Sequence, residues 1–328
     1  MKLEDNIQQE TDIFKQAISL AKENQRLARE KEQAEEHIHS LAKFPSENPN
    51  PVLRIGEDKN LLYANPPALP LLNNKLLNGE TTKTGDQVPL EFQKMASHAL
   101  SSQSIQQSKI KVGIQTFHLE WVPILSKGYV NVYGHNITER KKAEAKILLQ
   151  YELTRIFLDG QSLEKTIPKI LQAVGEFMQW EISHYWELNP QSQELHCHLA
   201  WNAGYLDDNE AFKEFKTNTL ERIFTKGEGL PGRIWDNLEP FWIPDVRTDK
   251  NFPRAPFAQN LGMKVGFGFP IISNNQFKGV IEIFTSKRCL ADDDLIQFMT
   301  NLGGQIGQWM CLKQAEEHLN KLNLNPLD

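Results

Sequence analysis

The residues best able to do chemistry in this chain are scattered, and their spacing limits what that chemistry can be. His196, Cys197 and His198 are consecutive and together offer three metal-ligating atoms. On a strand, however, successive side chains leave from opposite faces, so the two histidines point one way, Cys197 points the other, and the three do not converge on one ion. Two histidines at i and i+2 could share a weak surface metal; solvated strand residues are the simpler expectation. Cys197 lies in phase with Leu195 and Leu199 and reads as a small core residue. Cys197, Cys289 and Cys311 are odd in number and widely spaced, which argues against a disulfide framework and a structural zinc site and suits a reducing compartment. The stretch KGEGLPGR, with Lys226 and Arg233 at its edges, has the glycines of a phosphate cradle. It lacks the Lys-Ser/Thr ending of a P-loop and the strand-helix context of a dinucleotide site, and reads as a turn. Trp186, Trp201, Trp235, Trp242, Phe267 and Phe269 are concentrated in the second half of the chain, where most aromatic side chains pack a core.

These residues need elements to position them. The 328 residues suffice for two ordinary domains. A net charge of -6, with acids and bases evenly mixed, leaves no basic face for a phosphate backbone and argues against nucleic-acid binding. The start MKLEDNIQQE has no signal-peptide core, and runs such as VGFGFPII are too short to span a bilayer. Residues 11–43 contain no Gly or Pro and predict one helix. Ile13, Leu20, Leu27, Ala34 and Leu41 recur every seven residues, which puts Ala17, Asn24, Lys31 and Ile38 at the a positions. That is a coiled-coil seam, and an Asn at a is a device for fixing register in a parallel dimer; a solvated amphipathic helix is the alternative.

Prolines then end the helix, and two apolar runs around GEDKN predict a hairpin. A helix over 88–102 precedes three alternating runs, IKVGI, FHLEWVPI and GYVNVYG. Phe117, Leu119 and Trp121 share one face of the middle run. The strand ending at 136 runs into a charged helix with no loop between them, and Asn136 or Thr138 can cap its first turn. A helix over LEKTIPKILQAVGEFMQW, a hairpin around NPQSQ, a glycine turn into a short helix, the strand FWIPDV, a hairpin around SNNQ and a long helix from Asp292 to about Leu324 complete the chain. In the NPQSQ hairpin Ile182, His184, Trp186 and Leu188 alternate before the turn, and Leu195, Cys197, Leu199 and Trp201 after it. The class is α+β, with two antiparallel-sheet domains joined by long helices.

FPSENPNPVLRI with LLYANPPAL, followed by GYVNVYGHNITERKKAEAK, resembles a PAS domain and its strand-to-helix exit, with Asn136 where the PAS pattern usually has Asp. LEKTIPKILQAVGEFMQWE, GEGLPGRIWDNLEPFWIPDV, FPRAPFAQNLGMKVGFGFPI and LIQFMTNLGGQIGQWM resemble the GAF domains of bacterial sensor kinases and related signalling proteins. The resemblance, which covers roughly residues 44–312, implies a PAS domain at 44–136, a linker helix at 137–160 and a GAF domain at 161–312; with the seven-residue repeat this leaves a coiled-coil helix at 1–43 and a helical tail at 313–328. It further implies a cytoplasmic bacterial sensory module, and the seven-residue repeat makes it a parallel homodimer through Ile13, Leu20, Asn24, Leu27, Ile38 and Leu41. Such a module relays change through Asn136, Thr138, Glu139 and Arg140 to a downstream kinase, cyclase or response protein. Trp186, Trp201, Phe267 and Phe269 are where a GAF ligand site is expected.

A bilin thioether would need a cysteine in DKNFPRAPFAQNLGMK, and a flavin-thiol photocycle one within residues 44–140; neither stretch has it. His98, on the predicted PAS helix, is the weak candidate for a haem ligand. The Asn-Lys…Asp-Glu pattern of cyclic-nucleotide GAF sites is missing. No catalytic centre is expected, the alternatives being a thiol enzyme of the methionine sulfoxide reductase kind or a plain dimerisation module.

Overall fold

The computed structural model describes residues 23, 25–33, 36–37, 43, 45–73 and 83–324. The chain divides into two units between Lys142 and Ala143. Of the seven-residue repeat, Ile13, Leu20, Asn24, Ile38 and Leu41 lie outside the described residues, while Leu27 is helical and 51% exposed. Residues 45–47 are helical, and the helical residues stop there, before Pro49 and Pro51.

The first unit holds β1 (Val52–Gly56), β2 (Leu61–Ala64), a short helix α1 (Leu69–Asn73), α2 (Leu90–Ser102), β3 (Gln106–Val112), β4 (Gln115–Ile124) and β5 (Tyr129–Asn136). Its five strands pair antiparallel in the order β2-β1-β5-β4-β3. One sheet face packs Leu53, Phe117, Leu119, Trp121 and Val132 with Phe92 and Ala96 of α2, as the alternation in FHLEWVPI requires. The Trp121 indole N–H donates to Ser108 Oγ at 2.9 Å, which satisfies a polar atom in an otherwise apolar layer. Asn65 is fully buried because it replaces secondary structure at the sheet's entry. Its amide donates to the carbonyls of Pro45, Asn48 and Asn50, and its Oδ1 accepts from the Val52 N–H.

In the second unit lie the C-terminal part of α3 (Thr138–Leu158), α4 (Leu163–Met178), β6 (Ile182–Asn189), β7 (Glu194–Asn202), α5 (Glu210–Glu221), β8 (Ile223–Phe224), α6 (Gly229–Asn237), β9 (Phe241–Ile243), α7 (Ala255–Leu261), β10 (Val265–Ser273), β11 (Gln276–Thr285) and α8 (Asp293–Leu324). Six strands form one antiparallel sheet in the order β8-β7-β6-β11-β10-β9. Helices cover both of its faces, which is why β10 and β11 read as nearly unbroken apolar runs. On one face α3, α4 and α8 bring Leu153, Ile170, Leu171, Leu302 and Ile306 against Phe267, Phe269, Ile281 and Ile283. On the other, α5, α6 and α7 bring Phe215, Ile234 and Ala258 against Trp186, Leu195, Val280 and Phe284. The β10–β11 turn uses Asn274 and Asn275, both at positive φ (50° and 63°), the conformation that twists correctly into a two-residue hairpin.

One expectation is corrected. Leu195, Cys197, Leu199 and Trp201 do not share a face, because the β6–β7 register shifts between Tyr185 and Trp186: Trp186 opposes Cys197 while Tyr185 opposes Leu199. His198 is the extra residue of this bulge, and it turns Leu199 and Trp201 to the α4 side, where Trp201 lies on Gly175.

Helix α8 can sit on β10 only because Gly303 and Gly307 lack side chains. A Cβ at Gly303 would run into the Pro270 carbonyl, and one at Gly307 into that of Ile272. Gly303→Ala and Gly307→Ala are each expected to cost about 1–3 kcal/mol of stability through forced repacking, whereas Gly304→Ala, with open space at its Cβ, is neutral or better; urea melts of the three variants check this.

Candidate functional site

Glu282 stands in the middle of β11, one charged residue in GVIEIF, with none of its surface exposed. A carboxylate there is costly unless it is matched by charge and hydrogen bonds. The match comes from Arg254, also fully buried, at the residue preceding α7. Arg254 Nη1 and Nη2 donate to Glu282 Oε1 and Oε2, each at 2.7 Å, the fork geometry that makes such pairs strong. Nη1 also reaches Thr219 Oγ1 on α5 at 3.3 Å. His184, directly opposite Glu282 on β6, places Nδ1 3.0 Å from Oε1. An ionised carboxylate only accepts, so Nδ1 carries the proton and donates.

Around this cluster the guanidinium carbon lies 5.0–5.6 Å from the ring centres of Trp186, Phe215, Phe224, Phe252 and Phe284, a cage of cation–π partners. Two donors inside it have no protein acceptor: Arg254 Nε and Trp186 Nε1. Burial alone would raise the Glu282 carboxyl. The Arg254 charge and the hydrogen bonds from His184 and Arg254 outweigh it and hold the carboxyl at about 2. Burial pushes the His184 imidazole below its usual 6.5 even though Glu282 pulls the other way, so it is neutral in the folded chain.

The loop that delivers Arg254 is pinned by the glycine turn before α6. Arg233 donates to the Gly229 carbonyl at 2.9 Å, to Asp249 Oδ2 at 3.1 Å and to the Asn251 carbonyl at 3.2 Å. Asn251 in turn accepts from the Gly229 N–H and donates to the Gly227 carbonyl, each at 2.9 Å. Gly229 has φ +64°, and a Cβ there would lie 2.5 Å from Phe224 Cε1. KGEGLPGR is therefore a structural turn whose arginine is engaged by its own loops, as its sequence context implies.

Residues 160–310 match the family model of the GAF domain. This part of the chain is a GAF domain. Among solved structures it is similar to the A. aeolicus nlh2 GAF domain in an inactive state (21% identity, TM-score 0.42, covering 52% of this chain and 99% of that one). It is likewise similar to the free methionine-R-sulfoxide reductase from Neisseria meningitidis in complex with its substrate (12% identity, TM-score 0.41, 52% and 93%). Two Arabidopsis thaliana proteins also match: Transcription factor GLABRA 3, 35% identical over 77 residues (23% of this chain, 11% of that protein), and Transcription factor EGL1, 32% identical over 82 residues (24% and 13%). The chain spans about a tenth of the length of these curated relatives.

The four aromatic residues expected to line a ligand site of the GAF domain are not brought together. Trp186 belongs to the Arg254 cage, while Trp201, Phe267 and Phe269 pack on the opposite face beneath α4 and α8. The register fixes this, since Val280 opposes Trp186 whereas Ile281 opposes both Tyr185 and Phe269. Cys197 is in the core beside the cage, and burial pushes its thiol up to about 12. Burial also raises the Cys289 thiol. His196 and His198 lie beside Glu194 and Glu187 at 3.4 and 3.5 Å, and among the described residues no group of three or more His, Cys, Asp or Glu is placed to hold a metal. His98 is exposed on α2. Sequence reasoning missed Glu282 and Arg254; the available signal was the lone acid in a strand otherwise apolar on both faces.

Replacing Glu282 by Gln removes the charge that Arg254 needs and is expected to cost about 3–5 kcal/mol, read by chemical denaturation. Stability is also expected to fall with acid in two stages. Below 6.5 the unfolded chain protonates His184 while the folded chain resists; the stabilisation from Glu282, full above 4.5, is lost as pH falls towards about 2. Thermal melts at about pH 7.5 and 5 measure the first stage, and His184→Asn is expected to flatten it.

Proposed function

We propose that this chain is a sensory module in which a PAS-like first unit and the GAF domain respond to a small ligand or a partner and relay the change through helices of a parallel homodimer to a kinase, cyclase or response protein. The observation that carries the relay is the junction at the end of β5. Asn136 Oδ1 accepts from the Thr138 N–H and hydroxyl at 3.0 and 2.6 Å, and Thr138 Oγ1 accepts from the Thr116 N–H of β4 at 2.9 Å. Helix α3 thus starts on the sheet with no flexible residue between, and Glu139 and Arg140 follow in its first turn. Further along, Leu149, Leu153 and Ile156 of the same helix are buried in the GAF core. A helix that follows a strand so directly is suited to carrying a displacement of the strand end along its length.

A small antiparallel sheet with helices packed on one face supports the PAS reading of the first unit. The ligand reading rests on the GAF domain and on the buried polar cluster at its centre, because costly buried charge of this kind clusters at functional sites. The non-catalytic reading is favoured over a thiol enzyme by Cys197 itself, whose raised thiol holds little nucleophilic thiolate at neutral pH. Three unpaired cysteines suit a cytoplasmic setting, and among the described residues no helix is long and apolar enough to cross a membrane.

Native mass spectrometry of the full chain is expected to show a dimer carrying a small-molecule adduct, and Leu20→Glu with Leu27→Glu to give monomer; a monomeric parent would overturn the dimer. Hydrogen exchange checks the relay. Loosening the GAF core by Glu282→Gln is expected to raise exchange in β5, and a Gly-Ser spacer after Arg140 to abolish that response; an unchanged response would overturn rigid transmission.

A further inference from the structure

The Arg254 cage has an asymmetry that structural bracing does not require. Its polar receptor groups stand on the two central strands, Glu282 on β11 and His184 on β6, beside Phe284 and Trp186 of the same strands, while Phe215 of α5, Phe224 of β8 and Phe252 of the Arg254 loop complete the ring. The group that fills it comes from the periphery, at the residue before the seven-residue helix α7, which has no side-chain cap hydrogen bond. The cage also reads a restricted part of Arg254. Glu282 takes the two terminal nitrogens end-on and five rings surround the guanidinium, while Nε, where the alkyl stem joins, has no partner. Everything recognised is what any alkylguanidinium presents. An ammonium ion could satisfy neither both carboxylate oxygens at fork spacing nor the planar contacts with the rings. The unpartnered Trp186 Nε1 leaves one further donor in the cage wall, suited to an acceptor on an incoming molecule.

We propose that this cage is a guanidinium-binding site which Arg254 occupies as a tethered ligand, and that a free alkylguanidinium compound takes its place when the Arg254 side chain withdraws. This deepens the sensory reading, on which it rests, by naming the ligand class. The tether makes Arg254 an internal competitor: only the fraction of molecules with Arg254 withdrawn is open to the free ligand, and apparent affinity drops by that fraction. Removing the competitor therefore tightens binding, the opposite of what removing an ordinary binding residue does. Withdrawal also has a structural correlate. Arg254 is joined through Asn251 and Asp249 to Arg233 and the glycine turn, so its departure loosens the layer formed by α6 and α7.

The test is agmatine, with putrescine as the ammonium control, titrated into the full chain as wild type, Arg254→Ala and Arg254→Ala/Glu282→Gln. Melting temperature and calorimetry are the readouts. Arg254→Ala is expected to melt lower than wild type, to regain stability with agmatine but not with putrescine, and to bind agmatine at least about tenfold more tightly than wild type does; the double variant is expected not to respond. Agmatine that stabilises the single and double variants equally, or neither, overturns the proposal. Should Arg254→Ala not fold alone, it is refolded from denaturant with agmatine or with putrescine; recovery with agmatine only supports the proposal, and equal recovery or none overturns it. In wild type, saturating agmatine is expected to raise hydrogen exchange across residues 250–262, and no change there counts against displacement. An adduct of another class in native mass spectrometry, with no agmatine response, would sink this inference and leave the sensory reading standing.

Discussion

A carboxylate in the centre of a sheet covered on both faces sets the terms for the rest of the GAF domain. Glu282 cannot reach water, so the fold must bring it a cation, and the nearest strands supply only a neutral imidazole. Arg254 does this from a loop, and the loop must then be fixed in place. The bonds from Asn251 and Asp249 to Arg233 and to the turn at Gly227 and Gly229 serve that end. The low polarity of the five surrounding rings strengthens the pair and also makes it expensive to break. Helices α5, α6 and α7 are therefore arranged around a charge, while α3, α4 and α8 are arranged around ordinary apolar packing.

That division of labour follows from one extra residue as well. The bulge at His198 separates Trp186 from Trp201 and sends them into different layers. Without it the same β7 residues would all crowd the cage side, and Gly175 would face no indole. The two faces thus have different chemistry: one is polar at its heart and reached through peripheral loops, the other is dry and tied to the long helices. The two layers meet at the sheet, where Glu282 and Ile283 are neighbours on β11 with side chains on opposite faces.

The junction after β5 belongs to the same logic of local necessity. An abrupt change from strand to helix leaves helix N–H groups without acceptors; Asn136 Oδ1 accepts from one of them, that of Thr138, while the Thr138 hydroxyl accepts from the Thr116 N–H of β4. Asn65 plays the corresponding part at the entry to the first sheet, holding three carbonyls and one amide that no strand partners.

By itself the sequence determined what depends on near neighbours in the chain. The alternation of Phe117, Leu119 and Trp121, the Asn274–Asn275 turn, the helix beginning at Thr138 and the order of hairpins are local consequences of side-chain period and turn chemistry, and they are legible without coordinates. Helix α5, with apolar residues at 212, 215 and 220 among charges, carries too weak a stripe to announce itself. Only the tertiary structure decided which face each aromatic residue occupies, because a single bulge reverses the parity of every residue beyond it. It also decided that Arg254 and Glu282 meet: they are 28 residues apart, and nothing in either segment encodes a distance. A charge pair is specified by the packing that denies both partners water, and that exclusion exists only once the sheet and its helices have closed around them.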